Sequence, residues 1–130
     1  MDRFTGGCLC GAVRVVAEGR PYRVGLCHCL DCRKHHGAVF YGAAVFDTGA
    51  VTVSGEVSAY KGRCFCPRCG GSVFARSGDE VEVHLGALDQ ANQLKPTYES
   101  WTIHRESWLP ECVGTKTYER GREQAGRFED

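Results

Sequence analysis

Neither sign of charge predominates in this sequence: 16 Lys and Arg residues balance 16 Asp and Glu, for a formal net charge of zero. Without a broad positive field there is nothing to gather the phosphates of a nucleic-acid backbone, so nucleic acid is not expected as a partner. Long hydrophobic runs are also missing; none approaches the ~20 apolar residues that span a bilayer, and no membrane partner is expected. The opening stretch Met1–Gly7 lacks the charged-then-apolar order of a secretory signal, so the protein is expected to be cytoplasmic. Helical patterning is scarce. Only Leu30–His36, stopped by Gly37, and Asp89–Leu94, stopped by Pro96, are predicted helical, and neither is long enough to form a layer.

The remaining pattern is that of a mainly β protein. With 130 residues, 42% hydrophobic and 25% charged, the chain suits one folded domain, predicted over residues 1–118, with 119–130 as a polar tail or surface extension. Alternation of apolar and polar side chains predicts half-buried strands at 12–16, 50–53 and 81–85. A more buried strand is predicted over 38–46, interrupted at Gly42, and further strands at 72–76 and 100–104.

Nine cysteines are dense for this length. In a reducing compartment disulfides rarely persist, and an odd number cannot all pair within one chain, so metal is the expected explanation. The cysteines fall into three clusters: Cys8-Leu9-Cys10, Cys27-His28-Cys29-Leu30-Asp31-Cys32 and Cys64-Phe65-Cys66-Pro67-Arg68-Cys69. Two cysteines spaced by one or two residues can present both sulfurs to one ion. The Cys66-Pro67-Arg68-Cys69-Gly70 turn resembles a zinc knuckle, with Pro67 and the following glycines suited to a tight turn. Paired with Cys8 and Cys10 it makes a closed structural zinc site.

Cys27, Cys29 and Cys32 then form a second, open site with a fourth position for water or substrate, the form of catalytic zinc sites. Two zinc ions per chain are expected. A thiol bound there would be held as thiolate, its nucleophilic form. Alternatively His35 or His36 closes this site; His28 is the weaker candidate, because in an extended segment it points away from its neighbours. Cys64 repeats the spacing and could compete as a ligand, but a buried free thiol is expected, and Cys112 is assigned no role.

These motifs resemble the glutathione-dependent formaldehyde-activating enzyme family, which includes centromere protein V. The likeness runs from Gly7 to about Pro110 through Gly7-Cys8-Leu9-Cys10-Gly11-Ala12-Val13, Cys27–Arg33, Phe65–Gly70, Gly86-Ala87-Leu88-Asp89 and Trp108. The resemblance implies a β-tent fold, a structural zinc on Cys8, Cys10, Cys66 and Cys69, and a catalytic zinc on Cys27, Cys29 and Cys32. It also implies carbon–sulfur lyase chemistry on the adduct of glutathione, or a similar small thiol, with formaldehyde or another small aldehyde. His35, His36 and Cys64 depart from the family pattern. The rival reading is a non-enzymatic, zinc-stabilised module that binds a protein; the oligomeric state is expected to be monomer or homodimer. Among other residues, Arg33 and Lys34 are candidates to meet a substrate carboxylate. His84 and His104 are read as surface or pocket-wall residues, and Phe40, Tyr41, Trp101 and Trp108 as core.

Overall fold

The protein's structure, a computed structural model, describes residues 1–130. The chain forms β1 (Arg3–Gly7), β2 (Arg14–Glu18), β3 (Arg23–Cys27), α1 (Leu30–His36), β4 (Tyr41–Asp47), β5 (Val51–Ser54), β6 (Ser58–Tyr60), β7 (Arg63–Phe65), β8 (Ser72–Ser77), β9 (Glu80–His84), β10 (Tyr98–Ser100) and β11 (Lys116–Thr117). One sheet has three strands in the order β1-β2-β5; the other has eight, in the order β11-β10-β3-β4-β9-β8-β7-β6. Pairing is antiparallel except where β10 lies parallel to β3 and β11. No helix is long and apolar enough to cross a membrane.

The period-two alternation explains how the sheets meet. Phe4, Val15 and Ala17 of the small sheet and Val24, Ala44, Phe46, Phe74, Val81 and Val83 of the large one belong to a single buried cluster. Cys8, Cys64 and Cys66 lie in the same cluster. The opposite face of the large sheet carries Cys27, Tyr41, Glu82 and His84, set by the pairings Cys27↔Tyr41, Ala43↔His84 and Val45↔Glu82. The fold therefore separates an apolar inner face from an outer one that carries titratable side chains.

Helix α1 ends where expected because Gly37 takes the left-handed conformation, φ 62°, and its N–H donates to the Arg33 carbonyl. Other expectations need correction. The strand predicted at 100–104 stops at Ser100, because Trp101 adopts a left-handed φ of 58° and Thr102–His104 coil into a 3-10 turn. Asp89–Leu94 makes turns rather than a helix, with Leu94 packed on the core. Gly42 does not interrupt β4, whose ladder runs through it. Trp108 is exposed rather than in the core. Apart from these corrections, Glu129 accepts from the Tyr118 hydroxyl at 2.8 Å and from Arg122 at 2.6 Å, and Arg127 reaches Asp79 at 2.7 Å.

Two contacts hold the small sheet against the loop after β9. Gly6 bridges to Leu88, so closely that a Cβ would sit 2.3 Å from the Ala87 carbonyl oxygen. Gly6→Ala is expected to cost about 1–3 kcal/mol, the range of forced overpacking, read as a lower urea midpoint. Asp89 accepts from Thr5 at 2.8 Å and from both terminal nitrogens of Arg14, at 3.0 and 2.5 Å. Arg14 and then Thr5 hold its carboxyl down from 3.8 to about 2. A carboxylate so lowered stabilises the fold above 3.8, and the contribution is lost as pH falls toward about 2. The stability gap between wild type and Asp89→Asn, from urea melts, is therefore expected to be constant at neutral pH and to close in that acid window. A gap that survived below it would rule out the clasp.

Candidate metal centres and active site

The turn after β1 and the turn after β7 bring four sulfurs together. Cys8, Cys10, Cys66 and Cys69 place all their sulfurs within 4.8 Å of one another. The Cys8–Cys10 and Cys10–Cys66 separations are 3.7 and 3.8 Å. A disulfide would need about 2.05 Å, whereas a tetrahedral ion bound at about 2.3 Å spaces its thiolates by about 3.8 Å. The donor set thus fits a metal ion. Backbone amides converge on the sulfurs: Val13 N–H donates to Cys8 at 3.2 Å, Arg68 N–H to Cys66 at 3.3 Å and Gly71 N–H to Cys69 at 3.4 Å. Burial alone would raise the Cys8 thiol, but the Val13 amide and the neighbouring sulfurs outweigh it and bring it to about 6. Cys64 stays outside this group, a buried thiol directed at the Gly62 carbonyl.

The second cluster is built at the β3–α1 junction. Cys27 ends β3, Cys29 caps α1 by accepting the Cys32 N–H at 3.3 Å, and Cys32 sits in the first turn. Their three sulfurs also lie within 4.8 Å of one another, and no nitrogen or carboxylate oxygen joins the group. The three thiols act on one another: Cys27 and then Cys32 lower Cys29, while Cys27 and Cys32 are themselves raised, so Cys29 is the sulfur most readily held as thiolate.

The nearby histidines are engaged elsewhere. His28 is fully buried with its Nε2 3.0 Å from Glu99, itself bound by Arg105 at 2.5 Å and by the Thr115 hydroxyl at 3.0 Å. His35 Nε2 lies 2.9 Å from the Ser72 hydroxyl, which lies 3.0 Å from His84 Nδ1. His36 stacks on Tyr41 with ring centroids 4.4 Å apart. Burial first, then the neighbouring imidazoles, lowers His36 to about 4 and His84 to about 3, so both are neutral at neutral pH.

Two clefts of about 190 Å³ each open at the trio, one lined by Cys32 and the other by Cys27. A third, of about 360 Å³, shares Lys61 and Arg63 with the cleft at Cys32 and also carries Lys34 and Asp31. Arg63 also lies beside Cys32. Arg33, a candidate for substrate contact, is instead bound to Glu106 at 2.6 Å and to the His104 carbonyl at 3.0 Å. Tyr41 was expected in the core but faces the trio, next to Cys32. Arg63, Glu82 and Tyr41 were not picked out from the sequence as site residues, because no spacing signal marks them; strand order alone brings them here.

A family model described as glutathione-dependent formaldehyde-activating enzyme matches residues 3–104. The chain belongs to this family. The matched stretch contains both cysteine groups and the whole outer face from Cys27 to His84. Family membership implies an enzyme-like function, glutathione-dependent formaldehyde activation. The fold is similar to the crystal structure of a Rhodobacter sphaeroides protein, with a TM-score of 0.56 and 24% identity over 68% of this chain and 91% of that one. No curated protein matches the chain.

Proposed function

We propose that the protein is a zinc-dependent carbon–sulfur lyase that forms and cleaves the adduct of glutathione, or a similar small thiol, with formaldehyde or another small aldehyde. One observation carries this reading: three thiols converge without a fourth protein ligand, at the mouths of two clefts. A metal centre with a free corner is the form associated with reaction rather than with scaffolding. When bound there, zinc would hold a substrate thiol as thiolate and polarise a carbonyl. Cys8, Cys10, Cys66 and Cys69 take the structural zinc within a β-tent fold, as one domain over 1–118 extended by 119–130.

The chain's own residues would orient the substrate. Arg63 and Lys61 present positive charge in the cleft that holds Cys32, with Lys34 in the cleft beside it, which favours a thiol bearing carboxylates, as glutathione does. Tyr41 walls the trio on the side of β4. The protein is placed in the cytoplasm, where thiols stay reduced, as a monomer or homodimer. The test is zinc-edge absorption spectroscopy combined with glutathione titration and adduct-formation kinetics. The expected result is a sulfur-rich zinc whose spectrum changes on adding glutathione, with faster adduct formation. Four protein ligands at the Cys27 cluster, with no glutathione binding and no rate effect, would overturn the reading.

A further inference from the structure

Strand β9 places Glu80, Glu82 and His84 on the outer face of the large sheet. Glu80 is held by Arg23 at 2.8 Å and by Arg127 at 2.9 Å. The Glu82 side chain has neither an ion pair nor a hydrogen bond; only burial and charges at a distance act on it. The cleft at Cys32 and the cleft at Cys27 share just two lining residues, Tyr41 and Glu82. Room for them comes from small neighbours: Ala75 opposite Glu82, Ala43 opposite His84, and Gly25 beneath the Tyr98 ring.

We propose that Glu82 is the proton carrier of the carbon–sulfur reaction, taking the proton of the incoming thiol and handing it to the carbonyl oxygen. This rests on the trio being the reacting centre. As the thiol binds, its proton passes to the Glu82 carboxylate. The sulfur lone pair then forms the C–S bond while the carbonyl π bond breaks, and the alkoxide oxygen takes the proton back from Glu82. Cleavage is the same sequence reversed; nothing is oxidised or reduced, and no proton is left over.

The other titratable groups on this face suit the task less. Neutral His36 and His84 hold a proton too weakly, and Tyr41, raised well above 10 chiefly by burial, holds it too tightly. The Glu82 carboxyl is raised above 4.5 by burial; Arg23 from β3 and Arg63 from β7 draw it down, while Glu80 and Cys29 push it up. A carboxyl lifted toward neutrality both accepts and returns a proton.

The test compares zinc-loaded wild type, Glu82→Gln and Glu82→Asp, using glutathione and formaldehyde. Calorimetry in buffers of different ionisation enthalpy counts the protons released to solvent when glutathione binds. Wild type is expected to release close to no proton per thiol bound and Glu82→Gln about one, with zinc content and folding unchanged. Adduct formation should fall by about a hundredfold or more in Glu82→Gln, with partial recovery in Glu82→Asp. Equal proton release and equal rates in wild type and Glu82→Gln overturn the assignment. If glutathione binds with the predicted proton counts but no variant accelerates the reaction, the proton transfer stands and the enzyme reading fails. If wild type binds no thiol, both fall.

Discussion

Cys66→Ser and Cys69→Ser are each expected to abolish soluble folded protein, whereas Cys29→Ser is expected to fold and to lose metal only from the trio. The difference follows from where the sulfurs sit. Cys66 and Cys8 are buried members of the hydrophobic core, and the quartet joins segments 56 residues apart in the chain at Cys10 and Cys66. An ion there closes a long loop and neutralises thiolates that would otherwise be desolvated. Structural zinc contributes on the order of 10 kcal/mol, as much as the ~5–15 kcal/mol net stability of a domain. The trio, by contrast, comes from one short loop and only Cys32 of the three is buried. Soluble yield and zinc per chain measure the outcome; equal losses in all three variants would contradict this division of labour.

Glu99→Ala should be the most damaging substitution away from the cysteines, costing about 3–5 kcal/mol, as expected when a buried pair loses one partner. Glu99 is 1% exposed and is approached by His28, Arg105 and Thr115. Without it, Arg105 and His28 lose their only charged partner inside the fold. Thr115→Val removes just one neutral donor and should cost about 1 kcal/mol. Because His28 stands between Cys27 and Cys29, the damage should also reach the trio: its zinc affinity is expected to fall about 10–100-fold, the usual effect of losing an outer-shell support. Chelator competition reads that loss, and the quartet provides the internal control. Unchanged melting and unchanged trio affinity would make the network a bystander.

The half-sites Cys8–Cys10, Cys27–Cys32 and Cys66–Cys69 were legible because each depends on short-range geometry. Sulfurs one or two residues apart can reach one ion, although Cys64, two positions before Cys66, does not join; four plus three is the grouping the structure brings together, the quartet across 56 residues of chain. Helix α1 was legible for the same reason: a glycine that accepts positive φ stops it at His36. Where the sequence misled, a contact distant in the chain had prevailed. Arg33 turns away from the trio toward Glu106, 73 residues on. Ser100–His104 alternates like a strand, but Trp101 turns left-handed and its N–H donates to the Arg120 carbonyl. His28 could be demoted as a ligand from its position between two cysteines, but its partner Glu99 could not be foreseen.

By itself, then, the sequence determined the chemistry available: sulfur ligands in metal-sized groups, a mainly β chain, and the cysteine motifs that mark its family. The tertiary structure decided what surrounds that chemistry. Only the order β3-β4-β9-β8-β7 puts Tyr41, Glu82 and Arg63 around the trio, and only the pairing register turns Glu82 outward rather than into the core. The physical reason is that ligand spacing is a property of a few consecutive bonds. Proximity across a sheet is a property of how the whole apolar face is buried, and a one-residue slip would reverse it.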